Sequence, residues 1–339
     1  MHTPRHILIG GGSGFIGRAL TDRLRARGDR VTWISRTPGP SDAGPSEAGP
    51  GEAGPGRITW ADLERDGLPA CEAVVNLAGQ HILDPRRRWN DAYRAAVIAS
   101  RVETTRTLVG AINAAPRPPA VFVSTAGKCF YGTAEMAGRA GGAYPELDET
   151  SAPMGVDFPA ELVALWEAAA EGVDTARVRH VQVRVGVVLG AVRRESVLGR
   201  LWRIGEGRGF LPIIRLPFCL GLGAVIGAGR QPFPWIHVDD VTGILTHLID
   251  DPRHTGRFNA IAPGVVPHET FIRAFARHLR RPVTWRAPAW LVRRLVGAER
   301  ASILLEGQNV VPRRTLAAGY IFRFPDIEAA LTDLVEVTV

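Results

Sequence analysis

Lysine is almost missing from this chain. Of the 41 Lys and Arg in 339 residues, a single one, Lys128, is a lysine, so the formal charge of +7 rests on arginine. The arginines are scattered, as at Arg86–Arg88, Arg193–Arg194, Arg280–Arg281 and Arg313–Arg314, and no basic run is interleaved with aromatics. That pattern argues for a solvated basic surface and against a nucleic-acid partner. Cysteine is scarce too: Cys71, Cys129 and Cys219 are odd in number and far apart, which excludes a disulfide framework and suggests a reducing compartment. Neither they nor the nine histidines fall at metal-ligand spacing, so no metal is expected. Long apolar runs are absent as well. The longest candidate span, Leu216 to Gly229, is too short and too rich in glycine for a membrane. The first apolar run is only Ile7 to Ile9, with glycines directly behind it, unlike a secretory signal. The expectation is a soluble, cytoplasmic protein without a membrane partner, a mitochondrial matrix address being left open.

What is present is an ordinary globular composition, 45% hydrophobic and 22% charged, long enough for two lobes. His6–Ile9 reads as a strand that meets a glycine cluster. Phe15, Ile16, Ala19, Leu20 and Leu24 follow at helical spacing up to Gly28, and Arg30–Ile34 is a second strand. Ala73–Ala78, Ala120–Ser124 and His180–Val188 have the look of buried strands; Trp89–Ala114 and Pro159–Gly172 read as helices. Strands alternating with helices predict an α/β fold, a doubly wound parallel Rossmann sheet with a smaller C-terminal substrate lobe. Pro38–Gly56 repeats an AGP unit with nothing to bury and is expected to be a disordered loop. The expected Rossmann domain is 1–190, with 235–265 returning to it. The substrate lobe takes 191–234 and 266–339, including a small C-terminal domain over 285–335.

The glycines mark a nucleotide site. Gly10-Gly11-Gly12-Ser13-Gly14-Phe15-Ile16-Gly17 contains a G-x-G-x-x-G spacing between a strand and a helix. Small residues there permit the tight turn, the approach of a pyrophosphate to the backbone, and close packing of helix on sheet. The helix start adds unpaired N–H groups and the positive end of its dipole. At the end of the second strand an NAD-binding chain would place Asp or Glu on the ribose. This chain has Ser35-Arg36-Thr37, which suits a 2′-phosphate, so the expected cofactor is NADP(H).

From here the chain resembles the atypical extended short-chain dehydrogenase/reductases, and among them the branch of epimerase family proteins (short-chain dehydrogenase/reductase family 39U). The stretches that carry the likeness are Gly10–Gly17; Val75-Asn76-Leu77-Ala78-Gly79 with Arg88-Trp89; Ser100–Thr105; Trp166–Ala170; Arg184–Gly190; Pro234–Asp240; Leu304-Leu305-Glu306-Gly307-Gln308; Pro312–Gly319; and Phe324-Pro325. The resemblance spans almost the whole chain. It implies an NADP-binding extended fold with further cofactor contacts at Leu77, Ala78, Arg101 and Val188. Read from the residues alone, Asn76 to Gly79 could serve tight packing or a cofactor. Arg101 could equally pair with Glu103 or Asp91 on its helix. His237, Asp239 and Asp240 have no accompanying nucleophile; a histidine bonded inside the fold and a capping carboxylate account for them. The chain departs from the family in the AGP repeat and in Ala191–Arg215, which is long and basic where a substrate pocket is built and carries Val197, Leu198, Leu201 and Ile204 at the spacing of an extra surface helix.

The chemistry departs further. Short-chain reductases use a Tyr and, four residues on, a Lys whose ammonium lowers the phenol's pKa. Here Tyr93, Tyr131, Tyr144 and Tyr320 are followed at that distance by Val97, Glu135, Asp148 and Phe324, so no such pair exists. The remaining catalytic candidates are Tyr131 as proton donor, with Ser124 or Thr125 orienting a substrate oxygen; Tyr131 could instead only pack or touch substrate. Two functions follow: an NADP(H)-dependent oxidoreductase or epimerase on an unidentified small molecule, or a non-catalytic NADP(H)-binding protein.

Overall fold

The computed structural model describes residues 3–37, 56–80, 82, 90–132, 144–153, 157–190 and 209–335. The AGP repeat up to 55, Arg88-Trp89 and the basic segment 191–208 lie outside the described residues. In chain order the first elements are β1 (His6–Gly10), α1 (Phe15–Ala26), β2 (Arg30–Ser35), β3 (Gly56–Thr59), α2 (Trp60–Asp66), β4 (Ala73–Asn76) and α3 (Asp91–Ala114). Then come β5 (Val121–Gly127), a 3-10 turn (Lys128–Tyr131), β6 (Glu146–Leu147), α4 (Phe158–Glu171), β7 (Arg179–Val185) and β8 (Val187–Leu189). The later strands are β9 (Ala224–Ile226), β10 (Pro232–Phe233), β11 (Trp235–His237), β12 (Gly256–Ala260), β13 (Val266–Pro267), β14 (Trp285–Ala287) and β15 (Asn309–Val310).

Seven strands form the central sheet in the order β12-β7-β5-β4-β1-β2-β3. The pairs β3·β2, β2·β1, β1·β4 and β4·β5 are all parallel. The chain leaves β1 toward one edge through β2 and β3, then returns to β4 and winds toward the other, which is the doubly wound Rossmann arrangement. The reversal falls between β1 and β4, where Gly10 is paired with Asn76. Helix α1 buries Gly17, Leu20, Thr21 and Leu24, the i, i+3, i+4, i+7 stripe that packs on a sheet. It ends where Gly28 takes φ +94°, a left-handed conformation that costs glycine nothing.

The chain divides into two compact units: Met1–Ala126, Ala164–Val183 and Thr242–Arg257 form one, and Gly127–Val163, Arg184–Val241 and Phe258–Val339 the other. The sequence expectation drew its boundaries at the ends of segments. In the structure the boundaries of the compact units fall within β5, α4, β7, the helix Val238–Asp250 and β12, so residues 127–163, 184–190, 235–241 and 258–265 fall with the second unit. The first unit's core gathers Leu8, Ile34, Val74, Phe122, Leu108 and Ile112. The second unit has a separate core around Trp235, Phe271, Phe275, Phe324 and Leu331, with Phe233 stacked on Phe271 at 4.2 Å. Among the described residues its small sheets are four two-stranded pieces: β8·β11, β9·β14 and β6·β15 parallel, β10·β13 antiparallel.

Three differences from the sequence expectation have local causes. The expected strand His180–Val188 is two strands, broken at Gly186, where an added Cβ would lie 2.9 Å from the Pro234 carbonyl oxygen. β3 and α2 were not foreseen: β3 has four half-buried residues with no alternation to read, and its first residue, Gly56, had been assigned to the disordered repeat. The long helix starts at Asp91 because the Asn90 side chain accepts the Tyr93 N–H at 2.9 Å.

Candidate functional site

The turn between β1 and α1 is tight on every side. Gly11 has φ +74°, and a Cβ there would sit 2.9 Å from the backbone of Ala78. A Cβ on Gly12 would collide with the Trp33 indole, and one on Gly17 would lie 2.6 Å from Gly11 O and Gly12. Gly14 N–H donates to Gly11 O at 3.0 Å and Arg18 N–H to Gly14 O at 2.9 Å, which winds the turn into the helix. Ser13 and Gly14 are exposed, Phe15 and Ile16 half-buried.

The start of α1 differs from its neighbours. α2 begins with a complete capping box of Thr59 and Asp62, and α3 and the C-terminal helix Ile327–Leu334 are capped by Asn90 and Asp326. α1 has Gly14 at its N-cap, no side-chain cap and no acid in its first turn. Its first N–H groups lack intrahelical acceptors, and its dipole favours an anion. Arg18, which sequence reasoning missed, adds a guanidinium there; its Nε donates to Ser13 O at 2.9 Å. The periodic spacing of α1 marks Arg18 as exposed but says nothing about its reach back to the turn.

Around this turn the first unit brings several expected residues together. Leu77 N–H donates to Gly10 O at 2.8 Å, and Gly11 N–H to Ile34 O at 3.1 Å. Ser35 ends β2, its hydroxyl bonded to Thr37 O at 2.8 Å, and Arg36 is exposed just beyond. None of the described residues at that strand end, 35–37, is an acid, so the arrangement can accept a phosphate beside the sugar. Beneath Leu77–Gly79 lies a buried polar network. Asn76 Oδ1 accepts the Ala78 N–H at 3.1 Å, and its Nδ2 donates to Thr105 Oγ1 at 2.8 Å. The same Thr105 oxygen accepts Trp166 Nε1–H at 3.1 Å. This network ends β4 at Asn76, two residues short of the expected strand. Arg101 donates to Gln80 O at 2.8 Å and lies over the Trp166 ring at 5.2 Å. Gly79 lets the guanidinium approach closely: a Cβ there would stand 3.1 Å from the Arg101 guanidinium carbon, which would have to give way. Arg101 thus clamps the Leu77–Gln80 turn, a role neither sequence alternative contained.

The three hydroxyls expected to handle substrate are each engaged inside their own unit. Thr125 donates to Asn76 O at 2.7 Å, and Ser124, fully buried, lies 2.9 Å from His180 Nε2. Burial, with the Arg257 charge nearby, lowers the His180 pKa to about 4, so this imidazole is neutral. In the second unit Tyr131 is fully buried. Its one proton has two acceptors within reach, Asp148 O at 2.9 Å and Asn259 Oδ1 at 3.0 Å, while Arg184 donates to its oxygen at 3.1 Å. Burial raises its pKa, opposed by the Arg184 charge. Glu149, which carried no sequence signal, completes the cluster by accepting the backbone N–H groups of Asn259 at 3.0 Å and Arg314 at 3.1 Å. The other expected cofactor contact of this unit, Val188, is half-buried in β8 opposite Ile236.

The Trp-Ile-His-Val-Asp-Asp stretch is structural. His237 Nδ1 accepts the Asp239 N–H at 3.0 Å and its ring stacks on Phe324 at 3.9 Å. A capping carboxylate was expected in this stretch, but fully buried Asp240 is spent elsewhere: it accepts Tyr320 O–H at 3.0 Å and the N–H groups of Arg323 and Phe324 at 2.8 and 2.9 Å.

A doubly wound sheet with a glycine turn and an uncapped helix start at its reversal defines the dinucleotide-binding α/β class. The chain belongs to the NAD dependent epimerase/dehydratase family, whose model matches residues 7–261, and a domain of unknown function (DUF1731) matches 287–334. It is 45% identical to epimerase family protein SDR39U1 of Bos taurus over 97% of this chain and 99% of that protein. The crystal structure of human epimerase family protein SDR39U1 (isoform 2) with NADPH has a TM-score of 0.81 and 42% identity, covering 97% of this chain and 99% of that one. A nucleoside-diphosphate sugar epimerase from Corynebacterium glutamicum gives a TM-score of 0.68 at 26% identity, covering 98% of this chain and 58% of that one. Among the described residues no helix is long and apolar enough to cross a membrane.

Proposed function

We propose that this chain binds NADP(H), with the pyrophosphate on the Gly11–Gly17 turn and the 2′-phosphate on Ser35 and Arg36. We further propose that it acts as an oxidoreductase or epimerase on a small molecule without a Tyr-x-x-x-Lys pair. The observation that carries the cofactor assignment is the uncapped, acid-free start of α1, in a chain whose second strand ends in Ser-Arg instead of an acid. The human relative crystallised with NADPH supports it. When bound, the nicotinamide supplies or accepts hydride. Leu77, Ala78 and Val188, as the resemblance implies, and Gly79 with them are assigned to contact the cofactor, and Arg101 to hold the 77–80 segment in place.

A second reading, NADP(H) binding without turnover, is favoured by one observation: Ser124, Thr125 and Tyr131 all have partners within the fold. Calorimetric titration of the purified protein with NADPH and NADH tests the first part. NADPH is expected to bind tighter by about tenfold or more; equal affinities would sink the 2′-phosphate assignment. Following NADPH absorbance over a panel of carbonyl compounds and sugar nucleotides tests the second. Turnover on any member supports the enzyme, and a silent panel with tight NADPH binding supports the alternative.

A further inference from the structure

Lys128, the only lysine of the chain, belongs neither to the glycine turn nor to the cluster around Tyr131. It is the first residue after β5 and only 8% exposed. Its ammonium donates to Gln308 Oε1 at 2.8 Å. Gln308 is itself fully buried, and its amide nitrogen is committed to Gly132 O at 2.7 Å, so its oxygen must face the lysine. Gln308 closes the Leu-Leu-Glu-Gly-Gln stretch, one of the family-like motifs that the cofactor site does not use. Lys128, Gly132 and Gln308 all lie in the second unit.

The partner is neutral, which makes the arrangement unusual. A buried ammonium without a counter-charge is strongly disfavoured, and among the described residues no carboxylate pairs with it. An ammonium has three N–H donors; one goes to Gln308, and two remain. Two donors on one positive charge match the two oxygens and single negative charge of a carboxylate. A phosphate can also accept from an ammonium, but its extra charge and oxygens are better matched by the forked guanidinium that this chain supplies freely elsewhere, and inorganic phosphate is therefore the control below. Lys128 also directly follows the carboxyl end of a central parallel strand, the end at which ligands of such sheets bind.

We propose that Lys128, oriented by Gln308, binds a carboxylate of the substrate, so that the small molecule acted on is a carboxylic acid. This rests on the reading that the chain acts on a small molecule. Because there is a single lysine, protein grown with 13C,15N-lysine gives one side-chain signal to follow. Pyruvate and 2-oxoglutarate, added with and without NADPH, are expected to shift that signal saturably in at least one case, whereas pyruvamide and inorganic phosphate leave it in place. Lys128→Met should weaken binding of the responding acid about tenfold or more, as expected for a charged hydrogen bond, and leave NADPH affinity unchanged. Gln308→Glu is the second arm. It supplies the missing carboxylate from within but gives up the bond to Gly132 O, so melting is not the readout; the lysine signal should no longer answer to added acid. A signal unmoved by either acid, or moved equally by pyruvamide or phosphate, overturns the proposal, as does a Gln308→Glu protein that responds like wild type. NADPH affinity measured on the same samples separates the two readings: its absence in wild type removes the proposed function, and a silent lysine beside normal NADPH binding removes only the carboxylate site.

Discussion

The β1–α1 turn and the cluster around Tyr131 are both polar and both tightly packed, yet they treat their hydrogen-bonding groups in opposite ways. At the turn the glycines remove side chains, and no side-chain cap covers the start of α1. Around Tyr131 the burial is complete, and Asp148, Asn259 and Arg184 all meet the phenol oxygen within 3.1 Å. Under the proposed function the first region receives a ligand, whereas the second holds its own unit together. A polar residue near a strand end is therefore not evidence of chemistry until its partners are known.

The largest effect is expected at the turn. Gly11→Val places a branched side chain at φ +74° against Ala78, and NADPH affinity should fall by about 100-fold or more, with a lower melting temperature. Calorimetry showing wild-type affinity would mean that the phosphates bind elsewhere. Acid should act on both units. His180 and His268 each have a pKa lowered from 6.5 to about 4 by burial. The unfolded chain therefore takes up these protons first as pH falls. The stability they contribute is whole above pH 6.5 and is lost down to about pH 4, by up to about 3 kcal/mol for each histidine. Chemical denaturation across that window checks it, and a flat profile would contradict the burial of both rings.

Arg36→Ala should weaken NADPH binding roughly 10- to 150-fold by removing a charged hydrogen bond worth about 1.5–3 kcal/mol, and leave NADH nearly unchanged. Equal losses for both cofactors would deny it the 2′-phosphate. Tyr131→Phe sharpens the comparison most directly. It strips the bonds from three buried groups and should cost about 1–3 kcal/mol of stability while NADPH affinity holds. If melting is unchanged and turnover drops instead, Tyr131 returns as the proton donor.

Much of the nucleotide half was legible in the chain. Five strands of the central sheet and the helices α1, α3 and α4 stood out because burial imposes a period on neighbouring residues, and the glycine spacing encodes a turn that only small residues can make. Legibility fails where partners are far apart in sequence. Nothing local tells that Arg101 clamps Gln80, that Asp240 holds the stretch 320–324, or that Gly186 splits a strand because Pro234 crosses it. β3 stayed hidden because four half-buried residues next to a repeat carry no readable alternation.

By itself the sequence determined the doubly wound Rossmann class, the glycine turn, the cation at the end of β2 and the lack of any Tyr-x-x-x-Lys pair, since each is a matter of residue identity at short spacing. Only the tertiary structure decided which polar groups are spoken for. Whether Ser124, Thr125, Tyr131 or Lys128 has a proton to offer depends on acceptors that lie 49 residues away for Thr125, 128 for Tyr131 and 180 for Lys128. A hydrogen bond is set by distance in space, and the chain's order along its length does not record it.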